Sequence, residues 1–324
     1  MLKYFKLREC SLISGKKFTP ELSYQLFGCP LHTAPIILVN HALTGNSNVS
    51  GENGWWSSLI GPNKTINTKI YTILAFNIPG NGFDGKHENL VKNYKDFTAK
   101  DIANIFLMGL KYLEISKLHS IIGGSLGGGI AWEMLVTNPK IAKYLIPIAS
   151  DWKSSDWIIA NCLIQEQFLI NSSQPIKDAR MHAMLCYRTP DSFEKRFERS
   201  KAKGSKLFNI ELWLIHHGEK LQKRFQLSAY KLMNQLLKTI DITSFEKDIL
   251  NLLPSIEAEI HIVGIESDLF FVSKKNIQVI DLVKRFKRNI YYHQINSIHG
   301  HDAFLIEYDQ LDSILSPIFK KSEI

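Results

Sequence analysis

Short apolar runs alternate with longer segments of helical periodicity along much of the chain. Six of these runs predict buried strands, at residues 35–40, 70–77, 119–123, 144–148, 259–264 and 289–295. Strands that are apolar at nearly every position are typical of a parallel sheet whose two faces are both covered by helices. The alternation therefore predicts an α/β fold with a mostly parallel central sheet and crossover helices.

Two helices are predicted between these strands. The first carries apolar residues at helical spacing from Ile102 to Leu113, and Thr98 is placed to cap its N-terminus. The second begins after Ser125 and continues to about residue 138, and the glycines at its start favour close packing against the sheet.

The pattern changes between residues 152 and 245. Strand-like runs largely disappear there and helical stretches dominate, over a length far greater than a simple connection between strands needs. We therefore predict a helical lid at residues 152–245, inserted into a core formed by residues 1–151 and 246–324.

The composition is that of an ordinary globular protein. The chain has 324 residues, of which 45% are hydrophobic and 22% charged. No apolar run approaches the roughly 18–20 residues that a membrane span needs, and the first residues lack the uninterrupted apolar stretch of a signal peptide. We therefore expect no association with a membrane.

Charge and cysteine content narrow the expected partners and location. Lys and Arg number 39 against 31 Asp and Glu, which gives a formal charge of +8. The basic cluster at residues 195–206 is interpreted as solvated helix faces, and no nucleic-acid-binding motif accompanies it, so no nucleic-acid partner is expected. The cysteines predict neither disulfides nor a zinc knuckle, but free thiols in the cytoplasm: Cys10, Cys29, Cys162 and Cys186.

A candidate nucleophile lies between a predicted strand and a predicted helix. Residues 123–127 read Gly-Gly-Ser-Leu-Gly, which matches the G-x-S-x-G pattern. In that context a sharp turn presents the serine hydroxyl, and flanking glycines relieve crowding around it. We therefore predict Ser125 as a nucleophile; the alternative is a glycine-rich turn with no catalytic role.

A serine nucleophile requires a base and an acid, which follow it along the chain in this arrangement. Asp268, just beyond a predicted strand, is the candidate acid, and Glu266 is its rival. His299 and His301 both qualify as the base, since both lie in the loop after the last predicted strand. The same two histidines could also form a metal pair, but no third ligand stands at a supportive spacing, so no metal is expected.

The oxyanion of a tetrahedral intermediate requires hydrogen-bond donors. The backbone N–H after the nucleophile, that of Leu126, is one candidate. The second is the N–H of Leu43, in the loop that follows the first predicted buried strand.

The sequence resembles the homoserine O-acetyltransferase family of the α/β-hydrolase superfamily over residues 40 to 305. The resemblance rests on His-Ala-Leu-Thr-Gly at 41–45, Gly-Gly-Ser-Leu-Gly-Gly at 123–128, Tyr-Arg at 187–188 followed by Arg-Phe at 196–197, residues 218–230, and Gly-His-Asp-Ala-Phe-Leu at 300–305. It implies an α/β-hydrolase fold with an inserted helical lid.

The resemblance also implies an activity and roles for particular residues. Acetyl-CoA would be a co-substrate, no cofactor would be bound, and Ser125 would carry the acetyl group to the hydroxyl of homoserine. His301 is selected over His299, with Asp268 orienting it. Arg188 would meet the carboxylate of the substrate and Asp302 its amine. The family further implies a homodimer that forms through the helical lid.

Two segments depart from the family pattern, at residues 78–85 and at residues 226–229, and the chain is short for the family. These departures leave succinyl transfer, or serine as the acceptor, open as alternatives. An esterase with the same triad is a further alternative. A non-catalytic binding protein is the last, but no member of the predicted triad is missing.

Overall fold

The computed structural model describes residues 1–246 and 248–320. Lys247 and residues 321–324, which fall in the predicted core, lie outside the described residues. The strands of the main sheet are β1 Lys3–Lys6, β2 Glu21–Gly28, β3 Ile36–Asn40, β4 Thr72–Phe76, β5 Leu118–Gly124, β6 Ala142–Ile148, β7 Glu259–Ile265 and β8 Ile290–Ile295. The helices are α1 Ala99–Tyr112, α2 Leu126–Thr137, α3 Asp156–Asn171, α4 Pro175–Tyr187, α5 Pro190–Phe197, α6 Asn209–Arg224, α7 Leu227–Lys238, α8 Ile249–Leu252, α9 Ser273–Val283 and α10 Tyr308–Lys320.

The strands of the main sheet are hydrogen-bonded in the order β1-β2-β4-β3-β5-β6-β7-β8. β1 pairs antiparallel with β2, and β2 pairs antiparallel with β4. The other strands, which are β4, β3, β5, β6, β7 and β8 in sheet order, run parallel to one another. The sheet confirms the predicted α/β class with a mostly parallel centre. Each of the six predicted strands is present, with ends that differ from the prediction by at most a few residues.

Both faces of the central strands are buried. In β3, Ile36 and Leu38 join the apolar cluster beneath α1 and α2, whereas Ile37 and Val39 join a second cluster that includes α10. This alternation follows from the period of two along a strand. Because both faces are covered, the edge at which the parallel strands end is where a site can open.

The helices begin where the sequence offers caps. Thr98 accepts a hydrogen bond from the N–H of Asp101, whose carboxylate accepts the N–H of Thr98, and this capping box starts α1 as predicted. α2 begins directly after Ser125, which is the predicted point.

Helices α3 to α7, here called the helical insertion, lie between β6 and β7. The chain enters and leaves it side by side, because Lys153 and Asp241 form an isolated antiparallel bridge. The N–H of Ser154 donates to the carbonyl of Ile240 at 2.8 Å, and the bridge also carries an ion pair between Lys153 and Asp241 at 3.0 Å.

Two features differ from the sequence-based expectation. The N-terminal strands β1 and β2 were not predicted, because their polar and apolar residues mix on an antiparallel edge that is partly exposed. Helix α5 was expected to continue through the basic cluster, yet it ends at Phe197. Glu198 and Arg199 take left-handed conformations, with φ of 46° and 54°, which a continuing helix does not allow.

Among the residues that the structure describes, none of the helices combines the length and apolar character that a membrane-spanning segment requires.

Candidate active site

The turn between β5 and α2 holds Ser125 in a strained conformation. Its backbone angles are φ 55° and ψ −125°, a region that a residue with a side chain seldom adopts. The turn has no room for larger residues, since a Cβ on Gly123 would lie 2.5 Å from the backbone of Gly127. This is the geometry of the predicted strand–turn–helix elbow, which leaves the serine side chain at the edge of the sheet.

A chain of hydrogen bonds joins the three predicted triad residues. The Oγ of Ser125 lies 2.9 Å from Nε2 of His301, and Nδ1 of His301 lies 2.8 Å from Oδ2 of Asp268. The other carboxylate oxygen of Asp268 accepts the N–H groups of Phe270 and Phe271 at 2.7 and 2.9 Å. The carboxylate is therefore fixed on both sides, and it fixes the imidazole in turn.

The rivals of these residues lie elsewhere. Glu266 is exposed to solvent at the end of β7. His299 faces Arg188 and Ser192, with its Nδ1 at 2.9 Å and 3.2 Å from them. Within residues 1–246 and 248–320, no group of three or more His, Cys, Asp or Glu side chains is arranged to hold a metal ion.

Aromatic rings surround the imidazole of His301. The ring centroids of Tyr187, Phe270, Phe271 and Phe304 lie 5.3 to 5.7 Å from it. Tyr187 comes from the helical insertion and the phenylalanines from the core. This enclosure leaves His301 only 3% exposed and limits the access of water to the base.

The loop after β3 packs against the start of α2. A Cβ on Gly127 would lie 2.3 Å from the carbonyl oxygen of Asn40, so the two backbones are in direct contact. Leu43 lies in this loop, and its N–H donates no hydrogen bond to any residue that the structure describes. The N–H of Leu126, the first residue of α2, has no acceptor within the helix. Neither predicted oxyanion donor has an acceptor among the described residues, and the two belong to adjoining segments.

His41 anchors that loop. Its Nδ1 lies 2.8 Å from the carbonyl of Ala42, and its Nε2 accepts the N–H of Ile78 at 3.0 Å. Complete burial lowers the pKa of His41 to about 4, so the ring is neutral and donates from Nδ1. The sequence drew attention to this loop, but the anchoring contact with residue 78 is visible only in the fold.

Arg188 and Asp302 approach each other beside the triad. Nη1 of Arg188 lies 3.9 Å from Oδ2 of Asp302, and the Arg188 side chain is 8% exposed. Burial raises the pKa of the Asp302 carboxyl, whereas nearby cations oppose that change. The guanidinium also donates to Ser192 at 2.7 Å, so part of its hydrogen-bonding capacity is used within the protein.

Arg180 is a third charged residue at the site, and the sequence analysis did not single it out. Its guanidinium lies over the ring of Tyr187, 5.5 Å from the centroid. Among the neighbouring charges, that of Arg180 lowers the pKa of Asp302 most. Arg180 and Tyr187 are seven residues apart on α4, which places them on one face. The sequence gives no further signal that distinguishes Arg180 from the other basic residues of the insertion.

Comparisons with known proteins agree with this architecture. A family model described as the alpha/beta hydrolase fold matches residues 35–161. A curated relative from Chloroherpeton thalassium, named homoserine O-acetyltransferase, is 32% identical, and the alignment covers 88% of this chain and 79% of the relative.

Solved structures give the same picture of the fold. The homoserine O-acetyltransferase from Bacillus anthracis superimposes with a TM-score of 0.84 at 19% identity, covering 98% of this chain and 97% of that one. Esterase E22 superimposes with a TM-score of 0.86 at 16% identity, covering 98% and 99%. Identities this low establish only the shared fold. The identity to the curated relative extends over most of both chains, and on that ground this chain belongs to the homoserine O-acetyltransferase family.

Proposed function

We propose that this protein transfers an acetyl group from acetyl-CoA to the hydroxyl of L-homoserine through an acyl-serine intermediate. The names of its relatives support the reaction class. The observation that carries the proposal is the hydrogen-bonded chain from Ser125 through His301 to Asp268. This chain supplies the nucleophile, base and orienting acid that covalent acyl transfer needs.

In the first half-reaction, Oγ of Ser125 attacks the thioester carbonyl of acetyl-CoA while His301 Nε2 takes the hydroxyl proton. The carbon–sulfur bond then breaks, and His301 returns the proton to the departing thiolate. Asp268 stabilises the imidazolium that exists between these two events. The products are acetyl-Ser125 and free CoA.

In the second half-reaction, the hydroxyl of homoserine attacks the acetyl-Ser125 carbonyl and His301 takes its proton. The ester bond to Ser125 breaks, and the proton moves from His301 to the serine oxygen. Each half-reaction develops a negative oxygen, for which we propose the N–H groups of Leu43 and Leu126 as donors. Within the part of the chain that the structure describes, neither N–H has another acceptor, which supports this role.

We propose that charged residues beside the triad orient the acceptor. Homoserine carries an ammonium and a carboxylate, and a site that removes both from water must supply opposite charges. Asp302 is the candidate for the ammonium. Arg188 is the candidate for the carboxylate of homoserine, and Arg180 is a second cation that, like Arg188, lowers the pKa of the Asp302 carboxyl.

Hydrolysis would follow the same path with water in place of homoserine. The aromatic enclosure of His301 and the neighbouring charges of Asp302 and Arg188 support transfer to a zwitterion over transfer to water.

The test is the release of free thiol from acetyl-CoA with homoserine, serine or water as the only acceptor, followed by the same assay with succinyl-CoA. We expect release to require homoserine and to be fastest with acetyl-CoA. Mass spectrometry after mixing with acetyl-CoA alone should show one added acetyl group on the peptide that contains Ser125.

Ser125→Ala is the matched control, because it removes one oxygen and should leave the circular dichroism spectrum unchanged. It should gain no acetyl group. Equal thiol release with and without homoserine would contradict transfer and establish an esterase. Turnover by a wild-type enzyme that never carries the added mass would contradict the covalent step.

We further propose that the protein is a homodimer that forms through the helical insertion. Large apolar side chains are exposed on α3 and α4, where a single chain gains nothing by exposing them: Trp157 at 51%, Leu163 at 49%, Ile164 at 44%, Ile170 at 51% and Leu185 at 50%. A second copy would bury this surface.

The free state of all four cysteines supports a location in the cytoplasm.

Ile164→Asp should convert the dimer to a monomer, since each two-fold contact would bury two new carboxylates. Sedimentation velocity measures the change directly. Phe286→Asp, at a side chain that is 56% exposed outside the insertion, is the control and should leave the dimer intact. A wild type that sediments as a monomer at all concentrations would contradict the proposal.

A further inference from the structure

A cluster of polar contacts fastens the helical insertion to the loop that carries His301. Arg188 follows the last residue of α4, and its Nη2 donates to Ser192 Oγ at 2.7 Å and to His299 Nδ1 at 2.9 Å. Oγ of Ser192 also lies 3.2 Å from the same nitrogen of His299. Three side chains from two separate segments therefore meet at one point.

The two segments are also held by backbone contacts. The hydroxyl of Thr189 donates to the carbonyl of Ile298. Gly300, with φ of 65°, lies so close to the insertion that an added Cβ would be 3.0 Å from the carbonyl oxygen of Tyr187. The end of α4 and the residue before His301 are therefore in close contact, with little room for either to move.

The arginine determines the proton state of His299. A guanidinium has only donors, so Nδ1 of His299 must be an unprotonated acceptor and the ring proton must sit on Nε2. Burial and the charge of Arg188 both lower the pKa of His299. The other charged groups that act on it are Glu307 and Asp302, which raise its pKa, and Lys195, which lowers it.

We propose that neutral His299 is a positioning residue for the acceptor: by accepting the Arg188 hydrogen bond it holds the guanidinium 3.9 Å from Asp302 and thereby fixes the spacing of the two charges that meet homoserine. This role presupposes the transfer reaction proposed above. Protonated His299 cannot accept that bond and repels Arg188 instead. The acceptor site should therefore loosen in acid.

The test compares two substitutions of His299. His299→Gln keeps an oxygen that can accept from Arg188 but does not titrate, whereas His299→Leu keeps the bulk and removes the acceptor. His299→Leu should raise the KM for homoserine about ten- to a hundredfold, the loss typical of a charged hydrogen bond, and His299→Gln should stay within about threefold of wild type. Acetyl-enzyme formation from acetyl-CoA should change less than about twofold in both.

The pH dependence of the homoserine KM gives a readout that a merely structural residue would not move. Because the pKa of His299 is lowered, the wild-type KM should rise more steeply than that of His299→Gln as the pH falls below about 6.5. Asp302 is present in both proteins, so the difference between the two curves arises from the substitution at position 299. His87→Gln removes an exposed histidine far along the chain and should follow the wild-type curve.

An equal rise in the homoserine KM for His299→Gln and His299→Leu, or no rise for either, would overturn the positioning role. Homoserine-dependent transfer by the wild type would still uphold the proposed function in that case. Identical acid curves for wild type and His299→Gln would also overturn the positioning role. A wild type without homoserine-dependent transfer would contradict the proposed function and the role of His299 together.

Discussion

At the scale of single residues, the site is organised so that each charged or nucleophilic group has one orientation. Asp268 uses both oxygens, His301 is packed among aromatic rings, and Ser125 is held in a conformation that the turn imposes. Such preorganisation removes the cost of reorientation during reaction. The Asp302 side chain differs from these, because it has no hydrogen-bond partner among the residues that the structure describes, and its ion pair with Arg188 is 3.9 Å long.

Arg188→Lys and Asp302→Asn should impair the second half-reaction more than the first. Lys keeps the charge at position 188 but loses the planar fork, and Asn keeps the shape at 302 but loses the charge. Loss of one charged hydrogen bond costs about 1.5–3 kcal/mol, or about ten- to a hundredfold in the homoserine-dependent rate. Rapid-quench measurement of acetyl-Ser125, beside steady-state kinetics in homoserine, separates the two steps.

Arg180→Lys is the companion variant for this comparison, since Arg180 is the other cation that acts on Asp302. A larger rise in homoserine KM for Arg180→Lys than for Arg188→Lys would move the carboxylate contact to Arg180. If Arg188→Lys and Asp302→Asn slow acetylation as much as transfer, both residues organise the triad and the acceptor assignment is wrong.

Ser125 and Asp268 could be predicted from their context, whereas that context left both His299 and His301 open and the family resemblance selected His301. A glycine-flanked serine between strand and helix, and acids and histidines just after later strands, converge at one sheet edge in a parallel fold. Arg180 could not be predicted in this way. Several basic residues lie on the amphipathic helices of the insertion, and only the packing of α4 against the core shows which one faces the site.

At the scale of elements, α2 closely approaches the loop after β3, and these adjoining segments carry the N–H groups of Leu43 and Leu126 that we propose as oxyanion donors. The approach depends on Gly127, where a side chain would meet the carbonyl oxygen of Asn40 at 2.3 Å. Neither segment can move apart easily, because neighbouring hydrogen bonds fix the backbones of Asn40 and Gly127.

Gly127→Ala should lower the free energy of unfolding by about 1–3 kcal/mol, the usual cost of overpacking, and should slow acetyl-Ser125 formation by displacing Leu43. Urea unfolding and rapid quench measure the two effects. Gly61→Ala is the control, because its Cβ would meet the flexible side chain of Lys64 at 3.3 Å and the carbonyl oxygen of Ser57 at an ordinary contact distance of 3.8 Å. A Gly127→Ala protein as stable and as fast as the control would contradict the close contact.

The strands of the parallel centre could be predicted from their nearly continuous apolar runs, which only a sheet covered on both faces produces. The antiparallel strands β1 and β2 could not, because half-exposed residues such as those of Lys3–Lys6 give no distinct period. The early end of α5 depends on left-handed residues, Glu198 and Arg199, that carry no glycine signal.

At the scale of the whole molecule, a buried carboxyl joins the core to the helical insertion. Glu133 of α2 is 1% exposed, and its Oε1 accepts the N–H of Asp241 at 3.0 Å, where the chain leaves the insertion. Its other oxygen has no partner among the described residues. Burial raises the pKa of Glu133 to about 7, against opposing contributions from the Asp241 N–H and, to a smaller extent, from Lys100.

Because this pKa is raised on folding, the stability that Glu133 contributes is present below about pH 4.5 and is lost as the pH rises through about 7. Glu133→Gln removes the titration and should therefore be more stable than wild type at pH 8, by up to about 3 kcal/mol. Urea unfolding at pH 5 and pH 8 measures the difference. A gain that is the same at both pH values would exclude the carboxyl as its origin.

The bridge between Lys153 and Asp241 has a consequence for how such proteins diversify. The insertion leaves and rejoins the core at neighbouring residues, so the core itself holds the two ends of the insertion side by side. A different helical segment with equally close ends could therefore take its place. Ser125, Asp268 and His301 all lie outside it. The same core can thus carry different helical insertions. A graft between residues 153 and 241 is the natural unit for changing the substrate range by design.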